Sequence, residues 1–221
     1  MGENEHTSQG SNIALFMEAK DQCFKNADQW LNDAKLLMDK GSFGHANALF
    51  RFAREEIAKA FVCWLAAEEL FPKDAKVIQS MFTKHIRKNE VINAIYQSIS
   101  LDLEFLKKWE EMEVFERYGT RSCHLMEEYR ESAIYVDIDD VEQKIRTPLT
   151  ISETETKSLS QRVELVLEHV KTFIQKFTPL QKEEIRNYLN SVHPKVWDMG
   201  LIQPLLPPKL LQIIQRSTKE P

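Results

Sequence analysis

Two long stretches in the first third of the chain place apolar residues at helical spacing. The first helix is predicted from about Asn12 to Lys40, with apolar residues three or four apart at Cys23, Ala27, Trp30, Ala34 and Leu37. Such steps keep side chains on one face of an α-helix, and Gly41 is a natural C-terminal stop. The second helix is predicted from about Phe43 to Leu70, just before Pro72, with its apolar stripe at Ala46, Leu49, Ala53, Ile57, Ala60 and Trp64.

The middle of the chain changes from helical to extended periodicity. A third helix is predicted from near Asp74 to beyond Trp109, with the stripe Ile78, Phe82, His85, Ile92, Ile99 and Leu106. A turn at Gly119 and a short helix over 121–131 follow. Residues 133–139 (AIYVDID) are β-branched and aromatic and are predicted to be extended. Residues 137–158, which contain Pro148, are predicted to form a loop.

The last third begins with two further helices. The fourth is predicted from about Glu153 to Phe177, with Leu159, Val163, Val166, Val170 and Phe173 on one face. A fifth opens at Thr178, with Pro179 at its first position and Gln181 completing a capping box. A proline-rich tail follows from His193. Its apolar cluster, residues 205–214, is predicted either to pack on the bundle or to form a dimer or partner contact.

Composition agrees with a helical protein. The 221 residues include 6 Gly and 8 Pro, which favours long helices with few turns, and 43% hydrophobic residues are enough for a packed core. The predicted class is therefore all-α. No apolar run is long enough to span a bilayer, and the polar start lacks the pattern of a signal peptide. Three cysteines without paired spacing predict reduced thiols, so the predicted location is cytoplasmic, with no membrane contact.

The charge balance and the absence of certain motifs limit the function classes. The net charge of −5 predicts that any contact with RNA uses a local basic patch. The sequence contains no P-loop, no GxGxxG, no HExxH and no GxSxG, and no cofactor is predicted. The acidic run at Asp137, Asp139 and Asp140 lacks matching ligand spacing, so it predicts a solvated loop and no metal site.

Charged residues on the second helix are the first candidates for a site. Helical geometry places Glu56 at the edge of the apolar stripe, where a carboxylate needs a partner. The expected partner is Lys88 or Arg130 on a neighbouring helix. Glu55 is placed toward solvent, where it can pair with Lys59 four residues later. Glu56, Lys59, Lys88 and Arg130 are the predicted binding residues.

His85 lies on the apolar stripe of the third helix, three residues before Lys88. A histidine in that position is either a hydrogen-bonded core residue or a catalytic acid or base. The sequence leaves both interpretations open.

Three segments together resemble a known family. They are His45–Trp64 (HANALFRFAREEIAKAFVCW), Phe82–Lys88 (FTKHIRK) and Arg130–Asp137 (RESAIYVD). In this order and spacing they are similar to the AbiV family of bacterial phage-resistance proteins, a branch of the HEPN superfamily. The resemblance covers roughly residues 25–140. It implies a HEPN-like helical core over 12–140. The polar start predicts a flexible tail over 1–11, and residues 141–221 are predicted to form a C-terminal helical extension packed on the same domain.

The resemblance also implies an activity and an assembly. HEPN proteins of this kind form antiparallel helix bundles, commonly homodimers, and AbiV proteins act in abortive infection by shutting down RNA or translation in the infected cell. Many HEPN proteins are metal-independent ribonucleases that use an Arg and a His spaced R-x(4–6)-H.

Three pairs in this chain fit that spacing: Arg117 with His124, Arg162 with His169, and Arg186 with His193. Residues seven apart share a face of a continuous helix. Gly119 interrupts the first pair, and Pro194 directly follows the last. The second pair flanks an apolar stripe, where solvent-facing polar residues are the ordinary expectation. The catalytic candidates are therefore His85, Arg117, His124, Arg186 and His193, as alternatives rather than one set.

Two functions remain open from the sequence. The first is an abortive-infection protein that acts on RNA or translation, as a metal-independent endoribonuclease if it is an enzyme. The second is a non-catalytic helical adaptor that binds a phage-encoded or translation-related protein.

Overall fold

The computed structural model describes residues 4–70, 82–85, 88–89, 91–92, 95, 133, 136–139, 144–180, 182–183 and 186–187. Its regular elements are helices α1 (Asn4–Asp39), α2 (Phe43–Ala67) and α3 (Glu153–Lys176), strands β1 (Asp137–Asp139) and β2 (Lys144–Arg146), and a 3-10 turn (Pro148–Thr150). The described residues between 82 and 95 are mostly helical and are called the 82–95 segment. The predicted all-α class is confirmed. None of the described helices has a stretch apolar enough and long enough to cross a membrane.

A tight turn at Gly41 reverses the chain between α1 and α2. Gly41 adopts a φ of 74°, a left-handed conformation that favours glycine. Its N–H donates to the carbonyl of Met38 and the Ser42 N–H donates to the carbonyl of Leu37, both at 2.9 Å. This pair of bonds is a Schellman motif. The predicted stop is confirmed, and the two helices pack as an antiparallel hairpin.

The start of α1 differs from the prediction. The helix begins at Asn4, not near Asn12, so residues 4–11, predicted as part of a flexible tail, are helical. Extending an existing helix adds a hydrogen bond for each residue fixed, whereas a new helix needs a costly nucleus. The predicted start was based on apolar spacing, which marks only the part of α1 that packs against other helices. Residues 4–11 lack that spacing, so their helical structure was not predicted.

The bounds of α3 agree with the predicted fourth helix to within one residue at its C-terminus. Ser152 caps it: its Oγ accepts from the Glu155 N–H at 3.2 Å, and the Glu155 carboxylate accepts from the Ser152 N–H at 2.8 Å. This reciprocal capping box satisfies two otherwise unpaired N–H groups and fixes the helix start.

Helix α2 is the centre of the core. Its first turn lies near the start of α3, where the Thr156 hydroxyl donates to the Phe43 carbonyl at 3.1 Å. Its last turn lies near the end of α3, where the Trp64 ring is 5.4 Å from that of Phe173. The two helices therefore run parallel. Two ion pairs, Lys35–Glu164 and Lys171–Asp28, join α1 to α3 in the antiparallel sense.

The 82–95 segment packs on another side of α2. Lys59 lies over the Phe82 ring, whereas Arg54, five residues earlier on α2, bonds Asn89, seven residues later on the segment. The segment therefore runs antiparallel to α2. Val91, Ile92 and Ile95 enter the core, but Phe82, predicted on the same stripe, is 43% exposed. Its ring instead contacts the Lys59 ammonium, which keeps it at the surface.

The two strands occupy part of the predicted loop. β1 and β2 form an antiparallel hairpin in which Asp137 lies opposite Arg146 and Asp139 opposite Lys144. Strand β1 confirms the extended prediction at 137–139, whereas Ala133, at the start of the predicted segment, lies in a turn.

We expect Gly44→Ala to destabilise the protein by about 1–3 kcal/mol, the usual cost of overpacking. A Cβ atom at Gly44 would lie 2.0 Å from the backbone oxygen of Pro148 and 2.5 Å from its carbonyl carbon. Backbone atoms cannot rotate away, so the 3-10 turn would have to separate from α2. Urea denaturation measures the loss.

Gly41→Asn is the matched control, because Asn tolerates the left-handed conformation and a Cβ at Gly41 meets no atom within 4 Å. If Gly44→Ala lowers the free energy of unfolding no more than this control does, the close approach of Pro148 to Gly44 does not limit the side chain at position 44.

Candidate functional site

A buried charged cluster joins α2 to the 82–95 segment. One oxygen of Glu55, Oε2, accepts from the Lys88 ammonium at 3.0 Å and lies 2.8 Å from Nδ1 of His85. Glu55 and Lys88 are each only 5% exposed. The side chain of His85 is 37% exposed, so the cluster reaches the surface through the imidazole.

The electrostatics of the cluster keep Glu55 ionised. Burial by itself would raise the pKa of this carboxyl group. The charge of Lys88 and the hydrogen bonds from Lys88 and His85 outweigh burial and hold the pKa of Glu55 below its ordinary value. An ionised carboxylate only accepts hydrogen bonds, so Nδ1 of His85 must carry the proton that faces it.

This arrangement sets the tautomer of His85. When Nδ1 of a neutral imidazole is the donor, Nε2 carries the lone pair. No hydrogen bond between described residues uses Nε2; both contacts of the ring are made by Nδ1. The cluster therefore presents a partly exposed nitrogen base, oriented by a buried carboxylate. This is the arrangement that catalytic histidines require for proton transfer.

The predicted roles of the two adjacent glutamates are reversed. Glu56 was expected to reach Lys88 or Arg130, and Glu55 to face solvent with Lys59. Instead Glu55 binds Lys88, and Glu56 forms an ion pair with Lys59 on its own helix. The prediction assumed a single buried face, whereas α2 is covered by α1, α3 and the 82–95 segment. The side assigned to solvent is therefore an interface.

The sequence did contain a signal for this second buried face. A line of apolar residues at helical spacing passes through Glu55: Ala48, Ala58, Val62 and Leu65. All four are buried. A helix with apolar residues on two faces packs on both sides. Glu55 lies in this second apolar line and therefore needs a basic partner, for the same reason that was given for Glu56 at the edge of the first stripe.

Glu56 and Lys59 lie beside a pair of cysteines that connects α2 to α1. The Cys23 thiol donates a hydrogen bond to Cys63, which lowers the pKa of Cys63 against the effect of burial; Lys59 lowers it further. The same bond, with burial and the nearby Glu56, raises the pKa of Cys23. Both cysteines are reduced and buried, which agrees with the predicted free thiols. Cys123 lies outside the described residues.

Arg54 and Asn89 extend the cluster, and sequence reasoning singled out neither of them. The Arg54 guanidinium donates from Nη2 to Oδ1 of Asn89 at 2.9 Å. Arg54 is 5% exposed and Asn89 is 1% exposed. Arg54 occurs in the HANALFRFAREE run directly before Glu55, and Asn89 directly follows Lys88. The sequence signal for both residues was that each is adjacent to one member of the Glu55–Lys88 pair.

The remaining predicted residues that the structure describes are not brought to this cluster. Arg186 contacts Glu183 at 3.4 Å on its own short stretch. Arg162 donates to the Ser158 carbonyl at 3.2 Å, and His169 is buried rather than solvent-facing because that side of α3 meets the core. Four predicted residues lie outside the described part of the chain: Arg117, His124, Arg130 and His193. Among the described residues, no three His, Cys, Asp or Glu side chains meet as a metal site.

Comparison with known proteins identifies the family. The family model described as AbiV, within the HEPN group, matches residues 16–168, more than half of the 221-residue chain. Searches of curated proteins and of solved structures gave no match. The matched range includes the described cluster and most of α3, and extends beyond the 25–140 region on which the resemblance was based. The chain therefore belongs to the AbiV family of HEPN proteins, a family of abortive-infection proteins.

Proposed function

We propose that this AbiV-family protein acts in abortive infection as a metal-independent endoribonuclease, with His85 as its proton-transfer residue. The observation that supports this is the contact between Nδ1 of the partly exposed His85 and the buried Glu55 carboxylate at 2.8 Å. A purely structural histidine would gain the same hydrogen bond when fully buried. Here the imidazole is 37% exposed.

The proposed reaction uses the RNA ribose as the nucleophile. Nε2 of His85 removes the proton from a 2′-hydroxyl, and the 2′-oxygen attacks the adjacent phosphorus. The bond from phosphorus to the 5′-oxygen breaks, that oxygen takes up a proton from water, and the imidazolium then returns its own proton to water. Glu55 stabilises the imidazolium that forms, as a carboxylate does behind other catalytic histidines. The products are a 2′,3′-cyclic phosphate and a 5′-hydroxyl.

Local charge supports an RNA site despite the acidic chain. The exposed Lys84 precedes His85, and Lys59 and Lys88 lie within the same region of the structure. Lys88 is neutralised by Glu55 and Lys59 by Glu56, so among the described residues of this region Lys84 is the exposed cation. An exposed cation beside His85 attracts a phosphate even on a protein of net charge −5.

The test is cleavage of total cellular RNA by the purified full chain in excess EDTA. We expect discrete fragments that carry 2′,3′-cyclic phosphate ends, detected by their resistance to ligation until the phosphate is removed. RNA that stays intact, or cleavage that requires added Mg²⁺, would reject the proposed ribonuclease.

A non-catalytic adaptor is the second candidate, and the exposed leucines of α1 favour it. Leu15 is 60% exposed and Leu36 is 63% exposed, and a partner seated along α1 would bury this apolar area. Such a partner would be a second copy of the chain, a phage-encoded protein or a translation-related protein. An adaptor would leave RNA intact in the same assay, yet lose its partner when Leu36 is replaced by Glu.

A further inference from the structure

The Arg54 guanidinium is buried without a carboxylate partner among the described residues. Its side chain is 5% exposed, and its single hydrogen bond among the described residues runs from Nη2 to the neutral amide of Asn89. Its Nε lies out of contact with solvent and has no hydrogen-bond partner there. Buried arginines normally pair with an acid, because a charge removed from water needs compensation.

The neighbouring acid cannot supply that compensation. Glu55 follows Arg54 directly but binds Lys88 and His85 with the same oxygen. Within this cluster of described residues, two buried cations, Arg54 and Lys88, face one buried carboxylate, Glu55. The cluster therefore carries one excess positive charge before His85 is counted. An excess of this kind attracts an anion, and more strongly in a poorly solvated site than in water.

Asn89 completes a set of donors. A guanidinium has no acceptor, so Asn89 must turn its Oδ1 toward Arg54, which leaves its amide N–H₂ as a further donor. The unpaired Nε–H of Arg54 and the Asn89 amide are thus hydrogen-bond donors around a positive charge. This combination suits a phosphate, whose oxygens accept several bonds from an arginine fork at once.

We propose that Arg54 and Asn89 form a phosphate-binding site for a phosphodiester of RNA, adjacent to His85. The choice of RNA as the ligand rests on the proposed function. The anion site itself rests only on the buried charge of Arg54. Asn89 directly follows Lys88, whose ammonium lies 3.4 Å from Nδ1 of His85. A strand entering at the exposed imidazole places a neighbouring phosphate at Arg54 after the surrounding side chains rearrange.

The experiment observes the Arg54 side chain directly in the wild-type chain. Arginine Nε–H signals are recorded by ¹⁵N NMR while sodium phosphate replaces sodium chloride at constant ionic strength. The Arg54 signal is identified by its loss in Arg54→Lys. We expect a saturable shift of this signal with phosphate. A signal that does not move, or that moves linearly without saturation, would overturn the site.

Variants then test the assignment by affinity. Arg54→Gln keeps much of the side-chain volume and should weaken phosphate binding by roughly tenfold or more, the effect of losing a charged hydrogen bond. Arg51→Gln, one turn earlier on α2 where Arg51 bonds Asn47 at 2.8 Å, should bind phosphate as the wild type does. Equal weakening in both variants would remove Arg54 from the site. The NMR titration decides the question if Arg54→Gln does not fold.

A 2′-O-methyl oligoribonucleotide separates binding from cleavage, because it lacks the nucleophile and cannot be cut. We expect it to compete with inorganic phosphate at the Arg54 signal. Phosphate binding without such competition would overturn RNA as the ligand and leave a site for free phosphate. Failure of the ribonuclease assay with competition intact would reject His85 catalysis while supporting the anion site.

Discussion

Replacing Glu55 with Gln is expected to lower the free energy of unfolding at pH 7 by about 3–5 kcal/mol, the usual cost of removing one partner of a buried ion pair. The loss arises because Lys88, 5% exposed, is left without the carboxylate 3.0 Å away. Glutamine fits the space but carries no charge. Urea denaturation followed by far-UV circular dichroism measures the change.

The control is another glutamate in an ion pair. Glu153→Gln removes the partner of Lys157 at the start of α3, where both side chains are more than half exposed. Exposed pairs contribute little, so we expect a change below about 1 kcal/mol. Adding Lys88→Met to Glu55→Gln should recover much of the stability, since it removes the unpaired charge. A cost for Glu55→Gln no larger than that of Glu153→Gln would contradict the buried pair.

The loss of unfolding free energy caused by Glu55→Gln should become smaller in acid. The pKa of Glu55 in the folded protein lies below its ordinary value of 4.5. A group with a lowered pKa stabilises the fold above its unfolded pKa and loses that contribution as the pH falls through the folded pKa. The difference in unfolding free energy between wild type and Glu55→Gln should therefore be full at pH 7 and shrink as the pH falls below about 4.5. If the difference in unfolding free energy grew as the pH fell, the pKa of Glu55 in the folded protein would have to be raised instead of lowered.

Local signals explain which parts of the fold were predictable. Gly41 ends α1 by its own conformational freedom, and the apolar spacing of 153–177 fixes α3 without reference to its neighbours. These features depend on residues close together in sequence. The family resemblance likewise rested on local runs, and the match over residues 16–168 confirms it.

The candidate site was less predictable because it depends on long-range packing. His85 and Lys88 were singled out from their own segment, but Lys88 was paired with Glu56 instead of Glu55, and His85 was given no carboxylate partner. Which of the two glutamates meets Lys88 depends on the face of α2 that the 82–95 segment covers. A helical wheel with one assumed core face does not give that face. Arg54 was missed for the same reason: buried and solvated arginines look alike until the neighbouring helix is placed.

Replacing His85 with Ala is expected to reduce RNA cleavage by about 10²–10⁴-fold, the usual contribution of a general acid or base. The imidazole is the only part of the Glu55–Lys88–His85 cluster that reaches solvent substantially, at 37% exposure. Cleavage rates are measured with excess enzyme over a labelled RNA in EDTA, and thermal unfolding of the same samples checks that the fold is retained.

His45→Ala is the matched control. His45 is exposed on the first turn of α2, where its Nδ1 lies 3.0 Å from the Ser42 hydroxyl, and it has no contact with the cluster among the described residues. Its removal should leave cleavage unchanged. Added imidazole should restore part of the rate to His85→Ala, since the partly exposed position leaves room for the free base beside Glu55.

The result that contradicts His85 also identifies the alternative. If His85→Ala cleaves RNA at the wild-type rate, the Glu55 contact is structural, and the catalytic base must be sought among the Arg/His pairs. His124→Ala and His193→Ala, tested in the same assay, separate the two pairs whose histidines lie outside the described residues. If cleavage is lost in His85→Ala alone, the reaction is assigned to the interface between α2 and the 82–95 segment, where a buried carboxylate orients the base.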